Sequence, residues 1–212
     1  SHLEVHADGV SLHFSGAMTA LARQNPLSLT GSWKLAKDGQ LSLEVQANLD
    51  SQMPFLPRFG LCLPLVDAQT VHYLGQGPFE NYADKQAASY RAQFSLDAGD
   101  FYEPYIKPQE NGNRSQVSWL EVVQAPVLWQ VQDQTPESSG LNFSLSPYSA
   151  QTLSQTSHRD QLPEPSGYYL NLDLAQSGLG TNSCGPALPD AYRITGPNLS
   201  CRWTMAWRPL EN

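Results

Sequence analysis

Alternation of apolar and polar residues with a period of two is the feature that most constrains the fold of this chain. It runs through Leu3–Ala7 and Val10–Phe14, and Asp8-Gly9 between them is a pair typical of tight hairpin turns. The same alternation returns in Leu27–Ala36 and Gln40–Asn48, on either side of a short turn that contains glycine. Each pair of runs is predicted to form an antiparallel hairpin with one buried and one solvated face.

Further strand-like runs follow at intervals of ten or so residues. They are Arg58–Leu65, Val71–Leu74, Tyr90–Leu96, Gln116–Val123, Val127–Val131, Leu141–Ser146, Tyr168–Leu172 and Leu199–Trp207. Only Ala17–Arg23 and Ser149–His158 are candidates for short helices. With 16 Pro and 15 Gly between the strands, the sequence predicts an all-β, sandwich-like fold. Because no repeat or linker divides the chain, residues 1–212 are predicted to form one domain.

The charge of the chain restricts its partners. Charged residues make up 15% of the sequence and the formal net charge is −8, whereas an average domain has roughly 25% charged residues. Binding to a nucleic-acid backbone requires clustered Lys and Arg, so a nucleic-acid partner is not expected. No run approaches the ~20 apolar residues that span a bilayer, and no membrane partner is expected.

The three cysteines, Cys62, Cys184 and Cys201, contain no Cys-x-x-Cys pair, and one would remain unpaired if the other two were bridged. We therefore interpret them as reduced thiols and expect a cytoplasmic protein.

The loop Tyr102–Arg114 has the composition of a functional site. Prolines and Gly112 fix its turns, while Glu103 and Glu110 and the bases Lys107 and Arg114 are expected to project from it. Hydrolysis of a glycosidic bond needs two carboxyl groups roughly 5–9.5 Å apart. Glu80 and the two acids of this loop could form such a pair, but loop acids are more often solvated or bonded to the backbone.

Two other residue patterns are read as structural. None of the five histidines shows the i, i+4 spacing of a helical metal site, so no metal ligand is expected in this chain. The glycine-rich segments Gly75–Pro78 and Gly178–Pro186 do not precede a helix, which argues against a phosphate cradle. They are predicted to be turns with glycines at positive φ.

Four motifs together resemble one family. They are Tyr73–Asp84, Tyr102–Arg114, Leu145–Arg159 and Leu170–Pro186, and they stand in the order found in the C-terminal domain (domain 5, the small-chain region) of the large bacterial β-galactosidases of glycoside hydrolase family 2. The resemblance covers roughly residues 27 to 207. It implies an antiparallel β-supersandwich like that of galactose mutarotases, which here begins partway into the domain.

The resemblance also implies where the chemistry of such an enzyme lies. In that family the two catalytic glutamates and the Mg²⁺ and Na⁺ sites belong to a (β/α)₈ barrel outside this chain, so no catalytic residue and no cofactor is expected here. The reaction retains configuration: one Glu attacks the anomeric carbon, and the other protonates the leaving oxygen and then activates water. The expected partners are the barrel and other domains of the parent chain, a β-galactoside substrate, and further copies in a homo-oligomer.

The resemblance assigns substrate-proximal positions to Asn182, Ser183 and Cys184. Well-known members carry a tryptophan where this sequence has Cys184, and a thiol offers no aromatic face to the sugar. The segment Gly77–Asp84 resembles a mobile loop that borders the same pocket, which makes Glu80 a candidate acid near the ligand.

Two other functions are compatible with the sequence. A stand-alone carbohydrate-binding module would suit the Gln and Asn content and the loop aromatics. An aldose 1-epimerase would share the implied fold, but it needs a positioned His and Glu for proton transfer, and His72 and His158 lie in no recognisable motif of that enzyme.

Overall fold

The structure is a computed structural model that describes residues 1–20, 23–180 and 186–210. These residues form thirteen strands, one α-helix and three 3-10 turns. The strands are β1 (His2–His6), β2 (Gly9–Ala20), β3 (Arg23–Ala36), β4 (Leu41–Leu49), β5 (Arg58–Leu65), β6 (Thr70–Gly77), β7 (Tyr90–Asp97), β8 (Arg114–Val117), β9 (Trp119–Gln124), β10 (Val127–Asp133), β11 (Leu141–Ser146), β12 (Tyr168–Gln176) and β13 (Asn198–Pro209). The helix α1 is Ala150–Gln155, and the 3-10 turns are Ala98–Phe101, Arg159–Gln161 and Asp190–Tyr192.

The strands form two antiparallel sheets. The larger has the order β1-β2-β3-β4-β13-β10-β9-β6-β7 and the smaller the order β5-β12-β11-β8. The main apolar core lies between them, and Tyr73, Val131 and Trp203 contribute to it from the larger sheet and Phe143 and Leu172 from the smaller. The prediction of an all-β antiparallel sandwich is confirmed, because alternation gives each sheet one apolar face and the two faces cover each other.

Both sequence-predicted hairpins are present in register. Leu3 lies opposite Leu12, and Leu35 lies opposite Leu41. The run predicted as one strand at Gln116–Val123 is instead two strands, since β8 joins the smaller sheet and β9 the larger. The chain changes sheets at Ser118, whose amide donates to Leu74 O at 2.9 Å. The alternation of apolar and polar residues indicates which side chains are buried but not which sheet a strand joins. The change of sheet at Ser118 could therefore not be predicted from it.

One predicted helix is confirmed and the other is wrong. Helix α1 lies within the predicted Ser149–His158, and Ser149 caps it by accepting a hydrogen bond from Thr152 N at 3.0 Å. The predicted helix Ala17–Arg23 is instead strand, because residues 17–20 continue β2 and Arg23 begins β3. Ladder pairing of Ala17 with Ser28 and of Met18 with Leu27 overrides the local helix preference.

The prediction of positive-φ turns is wrong for Gly75 and Gly77, which lie inside β6. Their role is close approach: a Cβ at Gly75 would lie 2.6 Å from Val117 Cγ2, and a Cβ at Gly77 would lie 2.1 Å from Tyr73 Oη. Gly180 does adopt a positive φ of 69°. Glycine alone does not distinguish these two uses, because both follow from the missing side chain.

The larger sheet extends beyond the smaller one at its β1 end. A row of directly opposed residues crosses it from Leu3 through Leu12, Trp33 and Leu43 to Trp203. Trp203 and Leu43 are each 1% exposed, but Leu12 is 39% and Leu3 63% exposed. Residues directly opposed across a ladder share a face, so in the described part of the chain the apolar face is left uncovered at β1 and β2.

The two described cysteines, Cys62 and Cys201, are free thiols. Burial raises the pKa of Cys201 to about 12, so this thiol stays protonated in neutral solution. Cys184 lies outside the described residues.

Candidate functional site

The candidate site is built from three connecting segments that hydrogen-bond to one another. They are residues 78–89 after β6, residues 102–113 before β8, and residues 177–194 after β12. The first two contain Glu80 and the loop whose composition indicated a site, and the third contains the positions predicted to approach substrate. The strands behind them are parts of the two sheets, so a rigid scaffold holds the ends of each segment.

Glu80 holds the first segment to the second. Its Oε1 accepts hydrogen bonds from Lys85 Nζ and Tyr105 Oη, and its Oε2 accepts one from the amide of Gly112 at 2.9 Å. The side chain is only 5% exposed. Burial disfavours its charged form, but the hydrogen bonds from Lys85, Tyr105 and Gly112 outweigh this and lower the pKa of Glu80. Glu80 is therefore an ionised carboxylate that joins the two loops.

Asn81 uses every polar atom of its side-chain amide, and it also joins the first segment to the end of the second. Its Nδ2 donates to the carbonyls of Gln76 and Phe79 at 3.1 and 3.0 Å, and its Oδ1 accepts from Ser115 N at 2.9 Å. Its backbone N–H donates to Asn113 O at 2.8 Å, and Asn113 Nδ2 donates to Asn81 O at 2.7 Å. Asn81 and Asn113 have no exposed surface, so these bonds form a buried polar network that fixes both loops.

The loop 102–113 is ordered from within, as its turn residues predicted. Asn111 Oδ1 accepts from Glu103 N at 3.0 Å, and Gly112 has a φ of 76°. The expectation that Arg114 projects from the loop is wrong, because it is 1% exposed. Its guanidinium lies 5.0 Å from the centroid of the Phe101 ring and donates to Gly112 O at 3.0 Å. A basic side chain at the end of a loop can turn inward and donate hydrogen bonds to backbone carbonyls.

Arg58 connects the second segment to the smaller sheet. Its Nε donates to Asp173 Oδ1 at 3.2 Å, its Nη2 donates to Asp173 Oδ2, and its Nη1 donates to Glu110 Oε2 at 3.1 Å. Burial opposes the charge of Arg58, but the hydrogen bonds and charges of these carboxylates outweigh it and raise the pKa of Arg58. Burial raises the pKa of Glu110 despite the nearby Arg58. Glu80, Glu110 and Asp173 thus each pair with a basic side chain of this chain.

Asp84 joins the first segment to the third. Its Oδ1 accepts from Leu179 N at 3.0 Å and its Oδ2 accepts from Gly180 N at 2.8 Å. The fit leaves no room for a side chain at Gly178, where a Cβ would lie 2.5 Å from Asp84 Cγ. The residues that follow directly, 181–185, carry Asn182, Ser183 and Cys184, which lie outside the described residues.

Ser177 closes the base of the third segment. Its Oγ donates to Leu56 O at 2.6 Å and accepts from Ile194 N at 2.9 Å. Beside it, Gly178 N donates to Tyr192 O at 2.8 Å. Residues 177–178 are therefore tied to residues 192–194, and Ser177 is also tied to the chain before β5.

Sequence reasoning missed Asp84, Ser177 and the Arg58–Asp173 pair. Asp84 and Leu179 are 95 positions apart, and no periodicity or spacing rule relates positions so distant. Glu80 and Glu110, which the sequence composition singled out, both take part in the hydrogen bonds that hold these segments. That Glu80 lies near a bound ligand stays a prediction.

Among the described residues, one group of side chains has the spacing needed to hold a metal ion. It is His2, Glu4 and His13, whose ligand atoms all lie within 4.8 Å of one another, and it belongs to the hairpin β1–β2 rather than to the three segments. No helix in the described ranges is long and apolar enough to cross a membrane.

Comparison with known families gives a match over nearly the whole chain. The sequence model of the family described as "Beta galactosidase small chain" matches residues 3–205.

The chain is similar to part of several larger β-galactosidases. It is 36% identical over 192 residues to a β-galactosidase of Staphylococcus xylosus, a match that covers 90% of this chain and 19% of the relative. It is 32% identical over 197 residues to a β-galactosidase of Actinobacillus pleuropneumoniae, covering 92% of this chain and 19% of the relative. The chain thus spans about a fifth of the length of the relatives it matches.

Among solved structures, the galactose 1-epimerase of Lactobacillus acidophilus is similar in fold. The TM-score is 0.51 at 9% identity, and the match covers 99% of this chain and 66% of that one. At this identity the likeness concerns the fold alone. It confirms the prediction of a galactose mutarotase-like β-supersandwich.

Proposed function

The chain belongs to the β-galactosidase small-chain family, and from this premise we propose that it is the C-terminal accessory domain of a retaining β-galactosidase of glycoside hydrolase family 2. The substrates are terminal β-D-galactosides such as lactose. The length relation supports the proposal, because relatives 36% and 32% identical continue well beyond the matched region, which is 19% of each.

In this proposal the chain packs on a catalytic (β/α)₈ barrel and completes the wall of the active site. The observation that supports this role is that Asp84 accepts hydrogen bonds from the amides of Leu179 and Gly180. Leu179 and Gly180, which come shortly before Asn182 in the sequence, therefore lie against the segment that contains Glu80. Because Leu179 and Gly180 are held in place before a sugar arrives, less entropy would be lost when the adjoining residues bind it.

Asn182 and Ser183 would donate to and accept from the sugar hydroxyls, and Cys184 would supply a small, polarisable apolar contact. Glu80 would border the same pocket, where its role is to position the adjoining loops. The galactosyl transfer itself would use two glutamates of the barrel, one as nucleophile and one as acid and then base.

The pairing of the acids supports an accessory role without a catalytic carboxylate pair in this chain. A retaining glycosidase needs one carboxyl group that can give up a proton and a second that is free to attack the anomeric carbon. Glu80 accepts three hydrogen bonds, and Asp173 and Glu110 both pair with Arg58, so none of these three carboxyl groups is free to act as the nucleophile. We also propose that Mg²⁺ and Na⁺ are held by the barrel, that the parent enzyme is a homo-oligomer, and that it is cytoplasmic.

Hydrolysis assays test the proposal at two levels. The isolated chain is expected not to hydrolyse a chromogenic β-galactoside, whereas the parent enzyme should lose at least about tenfold in kcat/KM when Asn182 is replaced by Ala. Enzyme-like turnover by the isolated chain that disappears in Glu80→Gln and Glu110→Gln would contradict it. So would a parent enzyme whose kcat/KM is the same after Asn182→Ala.

An aldose 1-epimerase is the second candidate, because the fold resembles that of a galactose 1-epimerase. His72 also lies directly opposite Glu121 in the pairing of β6 with β9. Glu121 already accepts from Gln130 Nε2 at 3.0 Å and Arg208 NH2 at 2.9 Å, which leaves it poorly placed to move a proton. A polarimetric mutarotation assay separates the candidates: we expect no rate above background, and a rate abolished by His72→Gln would favour the epimerase.

A further inference from the structure

The hairpin β1–β2 gathers three imidazoles and one carboxylate on a single face. His2, Glu4 and His6 alternate along β1, so their side chains point to the same side of the sheet. His13 lies directly opposite His2 on β2, and residues directly opposed across a ladder share a face. The turn between the strands therefore converts separate sequence positions into one cluster.

The carboxylate of Glu4 is the centre of this cluster. Its Oε1 lies 2.8 Å from His2 Nε2, and its Oε2 lies 3.6 Å from His13 Nε2 and 3.5 Å from His6 Nε2. The rings of His2 and His13 are stacked, with centroids 5.0 Å apart and planes 18° from parallel. The ligand atoms of His2, Glu4 and His13 lie within 4.8 Å of one another, so small side-chain rotations bring all three to one ion.

We propose that His2, Glu4 and His13 bind a divalent transition-metal ion of the Zn²⁺ class, with His6 beside them. Two imidazole nitrogens and one carboxylate oxygen suit Zn²⁺, Ni²⁺ or Cu²⁺, whereas Mg²⁺ and Ca²⁺ prefer oxygen ligands alone. The side chains are between 41% and 63% exposed, so an ion reaches them without any opening of the fold. Water or His6 completes a tetrahedral shell.

The electrostatic surroundings favour a cation at this place. In the described part of the chain Glu4 forms ion pairs with histidines only, and the nearest lysine along the ladder, Lys34, pairs with Asp8 at 2.7 Å. A metal ion would therefore replace hydrogen bonds to imidazole and would not have to displace a fixed ammonium or guanidinium group.

Bound metal would have a structural consequence for the edge of the sheet. β1 is an edge strand, and its only strand neighbour in the described residues is β2. An ion held by His2 on β1 and His13 on β2 would cross-link the open end of the hairpin, and binding to the folded form alone stabilises it. The rule of i, i+4 spacing overlooks such a site, because it describes helices and not ladders.

Calorimetric titration of the chain with Zn²⁺ tests the proposal, and Co²⁺ absorption in the visible range gives a second readout of imidazole coordination. We expect one equivalent of Zn²⁺ to bind. His13→Gln and Glu4→Gln should each weaken binding at least about tenfold, as expected for loss of a ligand.

The matched control is His158→Gln. His158 is also exposed, and its Nδ1 lies 3.2 Å from a carboxylate oxygen, Asp160 Oδ2. It does not belong to the metal-ligand group found in the described residues. Its replacement should leave the affinity unchanged. Absence of Zn²⁺ heat, or equal affinities in the wild type and in both ligand variants, would overturn the proposal.

Discussion

Asp84 binds the backbone amides of both Leu179 and Gly180, at 3.0 and 2.8 Å. This contact joins the loop after β6 to the segment after β12, the two parts of the chain that the sequence marked as substrate-proximal. Both carboxylate oxygens are used, and Gly178 leaves the space the carboxylate needs. Asp84 therefore holds Leu179 and Gly180 in place relative to the loop after β6.

Replacement of Asp84 by Asn should loosen the third segment. The amide group of Asn offers one acceptor in place of two and turns an NH₂ toward one of the backbone N–H groups, which removes charge-assisted hydrogen bonds worth about 2 kcal/mol. Hydrogen exchange of residues 177–194 should become faster in the isolated chain. The parent enzyme should show a raised KM with a smaller change in kcat.

Asp38→Asn is the control for that experiment, because Asp38 Oδ1 accepts from Gln40 N at 3.0 Å within the turn between β3 and β4. It should leave exchange of residues 177–194 unchanged. Unaltered exchange in Asp84→Asn as well would show that the contact does not order the segment.

Glu80→Gln should destabilise the chain in a pH-dependent way. The pKa of Glu80 is lowered in the folded state, so its carboxylate contributes stability above its unfolded pKa of about 4.3, and the contribution is lost as pH falls through the folded pKa. We expect a loss of about 2–3 kcal/mol at pH 7 that shrinks toward pH 3.5. Urea unfolding followed by tryptophan fluorescence measures it.

The exposed Glu164 provides the comparison. Glu164→Gln should change the free energy of unfolding by less than about 0.5 kcal/mol across the same pH range. If the difference between wild type and Glu80→Gln did not depend on pH, ionisation of Glu80 would not be what holds the loops.

Gly112→Ala should be among the most damaging small substitutions. Gly112 has a φ of 76°, and a Cβ there would lie 2.1 Å from Phe101 O, so the backbone must shift and the bond from Gly112 N to Glu80 breaks. The expected loss is about 3 kcal/mol. Gly39 also has a positive φ, 88°, but open space around its Cβ position.

Gly39→Ala should therefore cost only the conformational strain, about 1 kcal/mol. Thermal unfolding of the two variants gives the comparison. Equal losses would mean that the close approach to Phe101 O adds nothing to the strain of the positive φ.

The uncovered apolar face at β1 and β2 predicts self-association of the isolated chain. Leu3, Val5, Leu12 and Leu35 are between 39% and 77% exposed, and β1 is a sheet edge, a combination that favours pairing between copies. Val5→Lys should lower the apparent mass measured by light scattering at high concentration.

Val66→Lys makes the same chemical change at a valine that is 92% exposed just after β5. It should leave the apparent mass as it is in the wild type. A wild-type chain that stays monomeric at every concentration would contradict the prediction.

The sequence by itself determined the all-β class, most of the strands, the two hairpins and the family. Alternation with a period of two and turn residues such as Asp8-Gly9 act over about 15 residues, so they fix local pairing such as Leu3 with Leu12. The ends of β11 matched those predicted. The motifs that carried the family resemblance are spread along the chain, which made them readable without coordinates.

Only the tertiary structure decided how those pieces meet. It separated β8 from β9, placed Gly75 and Gly77 inside a strand, turned Arg114 inward and brought Asp84 to Leu179, 95 positions away. Each depends on which sheet a residue joins and on which loops end side by side. A local sequence pattern indicates which residues are buried and where the chain turns, but it does not indicate which remote segments come together. These contacts therefore follow from the way the two sheets and their loops pack.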